Sequence, residues 1–147
     1  MTLRTRGDHR YGDRQSDVRQ ELARWSRGNG YAATRFADAH CALCGGVHFR
    51  LALDEDAGVA VRTCAACGEA HAMADGADFL DDAELEECAC PCGNEELELT
   101  LGAALYADGE AVRWLYVGAR CPACGLVGVY GEWKNEHDDA GALLANA

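Results

Sequence analysis

Three CxxCG loops constrain this 147-residue chain more than any other feature: Cys41-Ala42-Leu43-Cys44-Gly45, Cys64-Ala65-Ala66-Cys67-Gly68 and Cys121-Pro122-Ala123-Cys124-Gly125. A loop of this spacing turns both thiolates toward one point. Glycine after the second cysteine permits the tight, left-handed backbone that the turn needs. Two such loops at opposite ends of a hairpin place four sulfurs around a cation, the tetrahedral arrangement that zinc accepts readily. Cys41, Cys44, Cys64 and Cys67 leave 19 residues between their loops, a spacing suited to a four-cysteine site. No signal peptide is legible, nor any apolar run long enough to cross a bilayer, so the sequence predicts a cytoplasmic protein without membrane attachment. In that reducing compartment, paired cysteines bind metal rather than form structural disulfides.

A second site follows from an internal match. HCALCGGVHFRLAL aligns with ACPCGNEELELTL on Cys44-Gly45 and Cys92-Gly93, an offset of 48 residues. VAVRTCAACG aligns with YVGARCPACG, Cys64 on Cys121, at an offset of 57, so the second unit carries nine more residues between its loops. The alignment predicts a second site of Cys90, Cys92, Cys121 and Cys124 and reads as an internal duplication. Its first loop is irregular, because position 89, the CxxC equivalent, is alanine. Cys90 makes a CxC loop in which Pro91 stiffens the short turn. Cys88 makes a CxxxC loop and stays open as the alternative to Cys90. Whichever is not a ligand is a spare thiol.

Each unit reads as cysteine loop, strand, turn, strand, cysteine loop, strand. HFRLAL and GVAVRT flank DEDAG in the first, and ELELTLGAALY and AVRWLYV flank ADGE in the second. Alternation in ELELTL puts Leu97, Leu99 and Leu101 on one face. Neither unit alone offers enough apolar residues for a large core, so metal is expected to supply much of the folding free energy. Before the units, residues 1–15 lack periodicity and predict a flexible arm. Residues 16–30 predict a helix with Ser16 as N-cap and an apolar stripe of Val18, Leu22 and Trp25. DGADFLDDAELEEC reads as a solvated acidic linker with one helical turn, anchored only by Phe79 and Leu80. The expected organisation is therefore an arm and helix over 1–38, a first unit over 39–78, and a linker, second unit and polar tail over 79–147.

The loops resemble those of the zinc-ribbon superfamily, with its rubredoxin-like CxxCG and CPxCG knuckles, over residues 41–133. Tandem ribbons of this kind also occur in uncharacterised bacterial proteins, which the chain is similar to. The resemblance implies a small, mostly-β, metal-stabilised fold of two tandem three-stranded antiparallel ribbons behind a short N-terminal helix. It also implies modules used to bind nucleic acids or proteins. Zinc, two ions per chain, is the expected metal. Iron in the second site, as a rubredoxin-like electron carrier, is the alternative. His40 and His71 lie near cysteines, but four thiols already complete each site.

The sequence shows no nucleophile–base motif and no phosphate-cradling loop, and a four-thiolate centre leaves no position open for substrate. A non-catalytic protein that binds another protein is the leading expectation. Trp114, Tyr116, Tyr130 and Trp133 are the candidate partner surface, weighed against a role in the small core. Association with nucleic acid through Arg4, Arg6, Arg10 and Arg14 is the alternative. Charge divides as +4 up to Phe36 and −16 beyond it, and the acidic body works against a broad phosphate-binding face.

Overall fold

The computed structural model describes residues 3–147. In chain order the elements are strands β1 (Arg4–Arg6) and β2 (His9–Tyr11), helix α1 (Asp17–Gly28), strands β3 (Ala33–Asp38), β4 (Phe49–Asp54), β5 (Val59–Cys64) and β6 (Ala70–Ala72), and a 3-10 helix (Gly76–Asp82). Strands β7 (Glu86–Cys88), β8 (Glu98–Leu105), β9 (Val112–Arg120) and β10 (Leu126–Lys134) follow, and helix α2 (Ala140–Leu144) ends the fold. All described pairings are antiparallel. They form a six-stranded sheet, β1-β2-β10-β9-β8-β3, and a four-stranded sheet, β6-β5-β4-β7.

Two separate three-stranded ribbons were expected, and the strand order corrects this. The core hairpins do keep one register. Phe49 faces Cys64 and Leu53 faces Ala60 in the first half; Leu99 faces Ala119 and Leu101 faces Val117 in the second, as the offsets of 48 and 57 require. The third strands agree too, with Arg62 opposite His71 and Ala119 opposite Gly128. The strand leading into each first cysteine loop, however, pairs with the other half. β3, which leads to Cys41, adds to β8 through Asp38 opposite Thr100, whereas β7, which leads to Cys90, adds to β4 through Glu87 opposite Ala52. Between the halves, Phe49 and Leu97, equivalent positions of the alignment, exchange both backbone hydrogen bonds at 2.8 Å. Antiparallel pairing of equivalent residues defines a local two-fold axis through that pair. The nine extra residues of the second half lengthen the β8–β9 hairpin, where Ala103 faces Leu115 and Ala104 faces Trp114.

Period-two alternation assigns the two faces of β8 and β9. Leu97, Leu99, Leu101, Leu115 and Val117, all fully buried, point toward the smaller sheet and pack with Phe49, Leu51 and Leu53 in one shared core. A core split between two small ribbons is thus replaced by a single larger one, which buries apolar area neither half could bury alone. On the opposite face, α1 lays Val18 and Leu22 over the strands, with Tyr116, Ala104 and Val127 beneath them. Glycine is required there: a Cβ at Gly118 would stand 2.7 Å from Val18 Cγ1. Trp25, the third member of the expected stripe, is 44% exposed and instead donates its indole N–H to Glu132 at 2.6 Å. Ser16 makes no side-chain capping bond, and the Asp17 carboxylate accepts from the backbone N–H groups of Asp13 and Arg14.

Three segments read as irregular are ordered by pairings that the local sequence does not announce. Residues 4–11, expected as an arm, form a hairpin whose second strand extends the large sheet along β10, and Arg4 pairs with Asp13 at 2.6 Å. The acidic linker supplies both the 3-10 helix and β7, while its expected anchors Phe79 and Leu80 are 49% and 41% exposed. Met73, Ala74 and Gly76 are the buried residues around the start of that segment. The expected polar tail contains α2, whose Ala140, Leu143 and Leu144 enter the shared core, with Asp139 accepting from Ala142 N–H as N-cap. Beyond it, Ala147 O accepts from the buried Arg62 guanidinium at 2.8 Å.

Candidate metal centres

Two clusters of four cysteines form, Cys41/Cys44/Cys64/Cys67 and Cys90/Cys92/Cys121/Cys124, with all sulfurs of a cluster within 4.8 Å of one another. Cys41 and Cys67 Sγ are 3.6 Å apart, Cys44 and Cys64 3.5 Å, Cys90 and Cys124 3.5 Å, and Cys92 and Cys121 3.7 Å. Sulfurs arranged tetrahedrally about 2.3 Å from a zinc-sized ion would stand about 3.8 Å apart. The thiols therefore already stand where a tetrahedral ion would hold them. In each loop the first cysteine is buried and the second exposed.

The loops are built by backbone bonds that recur in all four. The carbonyl of the first cysteine accepts from the N–H of the glycine, at 2.8 Å for Cys41 and Gly45, 2.9 Å for Cys64 and Gly68, and 2.7 Å for Cys121 and Gly125. Those glycines have φ between 75° and 85°, the left-handed region. The irregular loop makes the same closure with one residue fewer: Gly93 N–H reaches Cys90 O at 2.8 Å, and Cys90 N–H reaches Asn94 O at 2.9 Å. Gly93 absorbs the shortening with φ of 99°. The structure thus places Cys90 in the second cluster and Cys88 outside it. Cys88 occupies the place of Ala39, since Cys88 faces Leu51 just as Ala39 N–H bonds Leu99 O. Burial, with Glu86 and Glu55 nearby, pushes the Cys88 thiol up and makes it a poor nucleophile.

Each centre sits where the chain crosses from one sheet to the other. The Cys41/Cys44 loop joins β3 of the large sheet to β4 of the small one, and the Cys90/Cys92 loop joins β7 of the small sheet to β8 of the large one. An ion bound to either loop would fasten that crossover to the hairpin end carrying the other two thiols. The surroundings of the two centres differ. Asn94 Nδ2 donates to Cys121 Sγ at 3.3 Å in the second, where the first has Gly46 at the aligned position. Burial raises Cys121, but the Asn94 amide and the backbone N–H groups of Cys124 and Ala123 overcome it and bring the thiol down to about 6. Backbone N–H from Cys67 is the largest influence on Cys64 and brings it to about 7. Thiolate is the form that binds metal, and these amide and backbone donors favour it in both clusters.

Compared with protein-family models, with curated proteins and with solved structures, the chain has no match. The candidate residues therefore stand on their geometry. Of the aromatic candidates, Tyr116 is fully buried, donating its hydroxyl to Tyr31 O at 2.7 Å, and Trp133 is 7% exposed. Trp114 is half-buried and stacked on Tyr31 at 4.9 Å, and Tyr130 packs against the shared core. These four do not make one exposed patch: Trp114 and Tyr116 share the face of β9 beneath α1, whereas Tyr130 and Trp133 belong to the shared core. The histidines also stay out of the centres: His71 Nε2 faces Asn146 O at 3.1 Å, and His40 offers its backbone carbonyl to Arg62. The Arg62 contact and the Asn94 amide have no signature in a cysteine-spacing pattern. No helix among the described residues is long and apolar enough to cross a membrane.

Proposed function

We propose that the chain is an internally duplicated, non-catalytic zinc protein whose two ions hold the ribbon-like halves together so that the rigid whole binds a protein partner. The observation that carries this reading is the position of the two four-cysteine clusters at the crossovers between the sheets. A four-thiolate ion leaves no coordination site for water or substrate, so its work there is mechanical. Zinc suits four sulfurs in a tetrahedron and brings no redox chemistry. The basic N-terminal residues favour a protein partner over nucleic acid, because their hairpin is spent on the protein's own sheet: Arg4 is paired with Asp13, and Arg6 lies over Tyr11 at 5.5 Å.

Elemental analysis and native mass spectrometry of the purified chain should find two zinc ions. Affinity purification from the source cells with the zinc-loaded chain should capture a protein that the chelated chain does not. Failure to capture any protein, or capture unaffected by chelation, would refute the scaffold reading. Iron in the second centre is the other reading, favoured by the Asn94 amide on Cys121, since hydrogen bonds to sulfur tune a redox site. A visible absorption band in the purified protein would establish it.

A further inference from the structure

Arg62, 2% exposed, is the one buried cation among the described residues, and it lies on β5 two residues before Cys64. Its guanidinium stands over the ring of Phe49 at 4.6 Å, and Phe49 is the residue opposite Cys64 in the hairpin. Arg62 Nη2 donates to His40 O, just before Cys41, at 3.2 Å and to Ala147 O at 2.8 Å, and Nε donates to Ala147 O at 3.2 Å. One side chain rooted beside the Cys64/Cys67 loop thus holds both the approach to the Cys41/Cys44 loop and the segment after α2. Asn146 makes that segment fast. Ala74 N–H donates to Asn146 O at 2.8 Å, and Asn146 Nδ2 donates to Ala74 O at 2.5 Å. Ala74 has φ of 55°, the only left-handed residue other than glycine among the described residues, and these two bonds hold it there.

A guanidinium taken out of water needs acceptors and negative charge around it. Oxygen acceptors supply only part of this, because Arg62 Nη1 is buried and has no hydrogen-bond partner among the described residues. The negative groups in its field are Cys41, Glu69 and Cys64, two of them thiols of the first cluster. A divalent ion held by four thiolates keeps a net negative charge, and a fixed cation beside it, away from water, lowers the cost of holding that charge. The second half has no such residue at the aligned position, where Ala119 stands, and its donor to sulfur is the Asn94 amide. We infer that Arg62 is the positioning residue of the first metal centre: it steadies the Cys41 loop through His40 O, supplies the centre's buried positive charge, and fastens residues 146–147 to that centre. The inference deepens the two-ion reading above and rests on it.

The test is a chelator competition on the zinc-loaded full chain, read by native mass spectrometry. Cys92→Ser silences the second centre so that the first is measured alone, and Cys44→Ser does the reverse; both cysteines are exposed. In the first background Arg62→Met should weaken zinc about 10- to 100-fold, the usual effect of removing a partner that supports metal ligands. In the second it should change affinity less than about twofold. Arg62→Lys keeps the charge without the fork and should recover part of the loss. Hydrogen exchange supplies the second readout: with Arg62 intact, Cys44→Ser should speed exchange of the Ala74 and Ala147 amides relative to those of β8, and Cys92→Ser should not. Equal weakening of both centres by Arg62→Met, no loss at the first, or a lysine variant no tighter than the methionine variant would overturn the inference. If Arg62→Met does not fold, the exchange experiment decides, and equal exchange at Ala74 in the two cysteine variants overturns it. A native chain holding fewer than two zinc ions would instead refute the two-ion reading itself.

Discussion

Replacing Cys90 by serine should empty the second centre, and replacing Cys88 should not. Cys90 is buried, its sulfur lies 3.5 Å from that of Cys124, and it belongs to the cluster of four. Structural zinc contributes on the order of 10–16 kcal/mol through four ligands in zinc-finger peptides, so one thiolate accounts for roughly 3–4 kcal/mol. That is a loss of about 10²- to 10³-fold in affinity. Native mass spectrometry in the presence of a competing chelator should count two ions for the native chain and for Cys88→Ser, and one for Cys90→Ser. Cys88 is badly placed to substitute. Along an extended strand two residues span about 6.6 Å, and bringing Cys88 to the cluster would strip β7 from Leu51 and Ala52 of β4. The double substitution should therefore bind no less metal than Cys90→Ser alone. Retention of two ions by Cys90→Ser, with loss only in the double variant, would show that Cys88 moves in freely. Release of an ion by Cys88→Ser alone would refute the CxC closure itself.

Asn94→Ala should weaken metal at the second centre by about 10- to 100-fold, the usual effect of removing a hydrogen bond to a ligand, and leave the first unchanged in a chelator competition. Gly118→Ala should destabilise the fold by about 1–3 kcal/mol in urea unfolding, because the new methyl would meet Val18 and Leu22 inside 3.0 Å; a neutral result would mean that α1 lifts off without cost. Removal of both ions by a chelator should lower stability throughout rather than melt the first half alone, since Phe49, Leu51 and Leu53 share one core with Leu97, Leu99 and Leu101. Hydrogen exchange that reports loss of protection confined to residues 39–78 would contradict that shared core.

What was legible in the sequence was what local spacing controls. Cysteine pairs at CxxCG spacing identify a loop without reference to the rest of the chain, and the alternation of Leu97, Leu99 and Leu101 identifies their common face. The irregular loop could be narrowed to Cys90 or Cys88 because Gly93 marked its end, and the backbone closure of Gly93 on Cys90 O then decided it. The exchange of β3 and β7 between the halves was not legible. Glu86, Glu87 and Cys88 carry no apolar alternation, and that segment is a strand because the free edge of β4 lies beside it. For the same reason the N-terminal hairpin read as an arm: it is ordered by β10, more than a hundred residues away. Ala140, Leu143 and Leu144 were too short a run to announce a core helix, and Asn94 and Arg62 act on the centres from outside any ligand motif.

The exchange of leading strands gives the two proposed centres a mechanical reason for the places they occupy. If each leading strand paired within its own half, the halves would be two small domains joined by a linker, each with a three-residue or six-residue edge and little core. Because β3 lies on β8 and β7 lies on β4, each half completes the sheet of the other, and among the described residues the one direct hairpin-to-hairpin pairing is Phe49 with Leu97. Such an arrangement closes long loops, whose entropic cost must be recovered from non-local contacts. The chain crosses into the opposite sheet after Asp38 and again after Cys88, and both crossovers run through a cluster's first cysteine pair, Cys41/Cys44 and Cys90/Cys92. An ion bound there would draw the crossover against the far end of a hairpin and hold both crossovers as fixed corners. The shared leucine core and the two proposed metal corners would thus act on the same joint from opposite sides, one by burying the faces of the sheets and the other by holding their edges in register.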